Sequence, residues 1–163
     1  GEFFHERPGQ VHRVFRNLSK TAPAKFLNFS NIDTQSARPE NTGAPKAAAP
    51  SADGVNARIL LQETLAELAN QEVSVSKIVT PAGAPPSAAH RHTGPVFAYL
   101  LKGEVESHVE PGSPIVYRAG DVFYETPAQV HRSYRNLSKT EPAELILFQV
   151  REKGKPGSMR IEK

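Results

Sequence analysis

The stretch AAHRHTGPVFAYLLKG, residues 88–103, decides how this chain is read. VFAYLL, set between turn-forming TGP and KG, has the composition of a β-strand. On a strand, residues i and i+2 point to the same face, so His90 and His92 project together while Arg91 faces away. Two imidazoles on one face are a bidentate platform for a borderline transition metal. A third, His131, comes 39 residues after His92 on another predicted strand and would close a facial triad. Four residues beyond His92, where an acid would complete the donor set, stands Val96.

Working outward, short strands and turns continue. EVSVSKIV (72–79) places Val73, Val75 and then Ile78 among polar residues, as a half-buried strand does. PAGAPP (81–86) is a turn. EVESHVE, IVYR, VFYE, QVHRSY and AELILFQV follow, punctuated by PGSP, AGD, TPA and NLSKTEP. ETLAELANQ (63–71) is the one helical-looking piece, and it reads equally well as irregular. Many short strands at regular spacing predict an all-β fold, an antiparallel barrel or double-sheet sandwich.

The chain also contains an internal repeat. Residues 1–30 align without gaps on residues 120–149, with 17 of 30 positions identical, including QVHR and RNLSKT. The first copy lacks any H-x-H, so His12, the counterpart of His131, builds no second site within this chain. The organisation expected is a partial repeat over 1–30, an Ala/Pro-rich linker over 31–54, a complete unit over 55–150 and a polar tail over 151–163. Ordered strands packed at an interface are the expectation for the half-copy, because AKFLNFS keeps apolar residues where AELILFQ has them.

Composition narrows the function classes. With 163 residues the chain is long enough for one sizeable core. Twenty basic and 17 acidic residues give a formal charge of only +3, which argues against nucleic acid or an anionic membrane as partner. There is no cysteine, hence no disulfide and no thiolate ligand. No apolar run approaches a bilayer span, which predicts a soluble protein. The start at Gly1 leaves room for a removed upstream segment such as a signal peptide, so cytoplasmic and secreted or periplasmic locations both stay open.

Gly83, His90, His92 and Gly103, followed by Gly120, Pro127, His131 and Asn136, resemble the two motifs of the cupin superfamily. The resemblance covers roughly Val73 to Val150, and its second motif recurs in the N-terminal copy. It implies a cupin-type jelly-roll barrel holding one metal among strand-borne histidines. Three departures stand out: Val96 replaces the family's Glu ligand, Gln129 replaces a Gly with His131 one residue early, and Asn136 lies five residues beyond His131 rather than four.

Three neutral imidazoles leave the charge of a divalent ion uncompensated, which disfavours Mn or Mg and suits Fe, Cu, Ni or Zn. Fe(II) is the first expectation and Cu the next. The resemblance adds that three-histidine cupins include oxygenases. The expected activity is a mononuclear metal-dependent oxidoreductase of dioxygenase type, acting on a small organic or saccharide substrate, in a homodimer. Its rivals are a Zn or Ni Lewis-acid isomerase, cyclase or hydrolase, and a non-catalytic small-molecule or sugar-binding module.

Further candidates surround the triad. Gln129, two residues before His131, is read as a weak fourth ligand through its carbonyl, a hydrogen-bond donor to bound water or O₂, or simply a polar mouth residue. Glu125 is a candidate proton acceptor, against a solvated strand-end carboxylate. Tyr99 is a candidate proton donor, against packing. Alternation from Val96 puts Ala98 and Leu100 inside and Phe97 and Tyr99 outside. Phe123 is assigned to the core, His108 to the surface, and Arg91 and Arg132 away from the ligands they flank. Asn-Leu-Ser at 17–19 and 136–138 and Asn-Phe-Ser at 28–30 match a glycosylation acceptor, but turns explain the first two.

Overall fold

A computed structural model describes residues 18–22, 56–65 and 70–161, the stretch 56–65 by its backbone alone. The chain divides into two compact units at Thr42/Gly43, each considered by itself. In the first unit the described residues form a small turn, in which Ser19 Oγ accepts hydrogen bonds from the backbone N–H groups of Thr21 and Ala22. The rest of the half-copy, including His12, and the whole linker over 31–54 lie outside the described residues.

Among its described residues the second unit has ten strands: β1 (Asn56–Leu65), β2 (Gln71–Thr80), β3 (His90–His92), β4 (Val96–Lys102), β5 (Glu104–Glu110), β6 (Ile115–Arg118), β7 (Val122–Glu125), β8 (Val130–Asn136), β9 (Ala143–Glu152) and β10 (Ser158–Arg160). They form two five-stranded antiparallel sheets, one ordered β1-β2-β9-β4-β7 and the other β10-β3-β8-β5-β6. This is the all-β, jelly-roll arrangement that the strand spacing and the resemblance predict. Among the described residues no helix is long and apolar enough to cross a membrane.

Two expectations about chain segments change. Residues 63–65 lie in β1 and Gln71 opens β2, so the described parts of ETLAELANQ are strand and turn. Its helical periodicity yields to sheet pairing, with Thr64 opposite Glu72 and Leu65 opposite Gln71. The segment after residue 150 also carries structure. β9 runs to Glu152, and β10 pairs with β3, setting Ser158 against His92 and Arg160 against His90.

Strand parity builds the core. Ala98 and Leu100 on β4, Val105 on β5, Phe123 on β7 and Ala143 and Leu145 on β9 form one buried cluster, with Ile78, Tyr117, Tyr134 and Leu147 packed against it. Phe97, Tyr124 and Val122 are exposed on the opposite face of the first sheet. Gly103 makes the tight β4–β5 connection at φ +89°, where any side chain would be strained and would press on Ala143.

The extra residue between His131 and Asn136 is absorbed by a β-bulge. On β5, His108 pairs with Ser133 and the next residue, Val109, pairs with His131, so Arg132 has no partner of its own. In a regular strand, residues five apart face opposite sides; the bulge returns both His131 and Asn136 to the buried side. Asn136 Nδ2 donates to the carbonyls of Thr80, Pro81 and Glu141, and its Oδ1 accepts from Ser138 N. That fully engaged amide ties β2 to β8 and excludes Asn136 as a glycosylation acceptor in the folded state. Asn136→Ala would orphan these partners and is expected to cost about 2–3 kcal/mol. Thermal denaturation should show a midpoint lower by about 10 °C, and an unchanged midpoint would remove the structural role given to the amide.

Candidate metal centre

β3 is only three residues long, and each of its histidines looks into the space between the sheets. His90 is the Cα partner of His131 on β8. Ring centroids lie 4.9 Å apart for His90 and His131, 5.0 Å for His90 and His92, and 6.0 Å for His92 and His131. Among the described residues the three imidazoles form a group whose donor atoms all lie within 4.8 Å of one another. The parity of H-x-H and the distant third histidine thus meet in space.

Each ring is held by a neighbour. His90 Nδ1 lies 2.8 Å from the carbonyl of Ala88, to which it donates, leaving Nε2 with its lone pair free. Burial holds the His90 pKa below its ordinary value, helped by the neighbouring His131 and His92 and opposed by the bond to Ala88. The neutral, ligand-ready imidazole is therefore favoured. His131 Nε2 lies 2.9 Å from Ser107 Oγ. Nothing in the motifs points to Ser107. Its signal is a polar residue in the series Val105, Ser107, Val109 of EVESHVE.

The carboxylate of Glu125 borders the group on the side of His92 and His131. It is 2% exposed, so it is no solvated strand-end group. Its Oε2 stands 3.0 Å from His92 Nε2 and 3.1 Å from His131 Nδ1. Burial pulls its pKa upward, but the two imidazoles outweigh that and hold it at about 2. The contact to His131 has ion-pair distance without hydrogen-bond alignment, so the buried Nδ1 is left with no hydrogen-bond partner. An orphaned buried nitrogen among three imidazoles is what a site built for a metal ion presents.

The other candidates fall into place around this group. Gln129 sits in the turn before β8, where its Oε1 accepts from Thr126 N at 2.8 Å. Its carbonyl is thus engaged in the turn rather than offered as a ligand, and its amide nitrogen remains as a donor. Tyr99 lies on the opposite face of β4 from Val96, Ala98 and Leu100, which are all buried. The structure does not bring its hydroxyl to the histidines, and the proton-donor reading gives way to the strand's alternation. Arg91 turns outward and donates to the carbonyl of Ala128, while Arg132 pairs with Glu110 at 2.6 Å. His108 is half-buried rather than exposed, its Nε2 3.0 Å from the carbonyl of Gly112.

A cavity of about 200 Å³ adjoins the cluster and reaches Glu125, Ser107 and Gln129, with Tyr117, Phe123 and Val109 along its walls. The rings of Tyr117 and Phe123 stack at 4.6 Å. A lining that mixes polar groups with aromatic and aliphatic surface suits a small polar organic molecule.

Comparison with known proteins agrees with this architecture. The family model described as a cupin domain matches residues 77–148. Among solved structures, an RmlC-like cupin with a double-stranded β-helix fold from Methanocaldococcus jannaschii is 19% identical, with a TM-score of 0.50, covering 68% of this chain and 92% of that one. An RmlC-like cupin from Shewanella frigidimarina is 21% identical, with a TM-score of 0.50, covering 67% and 87%. A cupin-like protein from Thermotoga maritima is 15% identical, with a TM-score of 0.50, covering 72% and 87%. At such identities the likeness is one of fold. No curated protein matches the sequence.

Proposed function

We propose that the chain, whose residues 77–148 match a cupin-domain family model, is a mononuclear metal-dependent oxidoreductase acting on a small molecule. The observation that carries this reading is the convergence of His90, His92 and His131 beside a cavity. These three residues would hold the ion. A nitrogen-rich set suits Fe(II) first and Cu next, and a bound ion of this kind supplies redox chemistry with O₂. The protein's own part is to position and to exclude water. Ala88 and Ser107 fix the rings of His90 and His131, the fully buried Val96 beside Glu125 adds apolar surface, and the Gln129 amide offers a donor at the cavity.

Elemental analysis of full-length protein purified without added metal is the first test, with His90→Ala alongside. About one equivalent of iron or copper is expected, against less than about a tenth in the variant. Small-molecule substrates should then drive oxygen consumption by the loaded protein, followed with an oxygen electrode. Absence of any tightly held ion overturns the metal reading. A zinc-loaded protein that never consumes oxygen overturns the oxidoreductase reading.

A further inference from the structure

We infer that Glu125 is the fourth protein ligand of this centre, an acid supplied by the strand opposite Val96. The inference rests on the metal reading above and deepens it. Val96 on β4 pairs with Gln149 on one side and with Glu125 of β7 on the other, so the three share one inward row of the first sheet. The three histidines come from β3 and β8 of the second sheet. Glu125 therefore reaches the imidazoles from across the barrel, over an apolar Val96 that is itself fully buried.

The distances suit coordination. Two donors about 90° apart on an ion, each bonded at about 2.1 Å, stand about 3 Å from one another. Glu125 Oε2 is 3.0 Å from His92 Nε2 and 3.1 Å from His131 Nδ1, so the carboxylate oxygen stands at a coordination-edge distance from two of the imidazole donors. Two further facts support the role. His131 Nδ1 is buried without an aligned hydrogen bond, and Glu125 Oε2 is 3.1 Å from it. Gln129, the other candidate fourth ligand, has its carbonyl committed to Thr126 N. A carboxylate also supplies one negative charge to offset the ion, which three imidazoles cannot do.

The register makes the test specific. Residues 96 and 125 are cross-strand partners, and such side chains start about 5 Å apart. Full-length protein stripped of metal is titrated with Co(II), with affinity read by chelator competition and the ligand set by visible absorption. Glu125→Gln is expected to weaken Co(II) binding about 100-fold and to alter the spectrum, with the fold checked by circular dichroism. The double variant Val96→Glu with Glu125→Val, which returns the acid to the neighbouring strand, should recover affinity to within about tenfold of the parent. If Glu125→Gln keeps both affinity and spectrum, Glu125 is not a ligand, while the three-histidine centre survives. If the parent protein takes up no Co(II), the metal reading itself fails and this inference with it.

Discussion

His131→Ala is expected to abolish stoichiometric metal uptake and, separately, to destabilise the metal-free barrel. His131 is the hub of the cluster: it pairs with His90 across the sheet, meets Ser107 through one ring nitrogen and Glu125 through the other. Its removal takes away a donor and leaves the buried Glu125 carboxylate beside His92 alone. Loss of one partner from a buried charged group costs about 3 kcal/mol. Calorimetric titration with Fe(II) or Cu(II) should show affinity reduced by at least about 100-fold. Thermal denaturation in the presence of a chelator should show the second effect. Uptake of one equivalent at parental affinity would mean that His131 plays no part in holding the ion.

Gly94→Ala should produce the largest loss of stability among single substitutions near the site. A Cβ at Gly94 would lie 1.8 Å from the carbonyl oxygen of Val150 and 2.8 Å from its carbonyl carbon. No side-chain rotation relieves a clash with backbone. The contact sits where Val150 N donates to Pro95 O, and just after His92 and before Val96. Either β9 or the β3–β4 connection must move, so the histidine pair shifts with it. A cost of about 3 kcal/mol or more is expected, lowering the denaturation midpoint by about 10–20 °C. An alanine variant that melts with the parent would show that the two segments separate freely.

Much of the site was legible because strand parity is a short-range rule. His90 and His92 had to share a face once their stretch was extended, and Ala98 and Leu100 had to be buried opposite Phe97 and Tyr99. His131 was a candidate from its place on a distant predicted strand, and the resemblance supported it, but no local pattern could show that the two strands pair. What stayed hidden depended on register, which no single stretch encodes. That Glu125 faces the histidines requires knowing that β7 pairs with β4 at Val96. That Asn136 turns inward despite odd spacing requires the bulge at Arg132. Ser107 was invisible because a hydroxyl in an alternating strand looks like any half-exposed polar residue until its partner is placed. The serine turn, by contrast, is purely local: Ser138 Oγ accepts from the N–H groups of Thr140 and Glu141 just as Ser19 does in the first copy.

The short strand that bears two of the three histidines has a modest hold on its own sheet. β3 touches β8 through a single residue pair, and its other edge is occupied by Ser158, Met159 and Arg160. The turn at Gly154 that leads into those residues is exposed. A protease nick there, or a bulky affinity handle fused behind them, would tug at His90 and His92 from outside the barrel. Purification schemes that leave this latch untouched are the ones that preserve the centre.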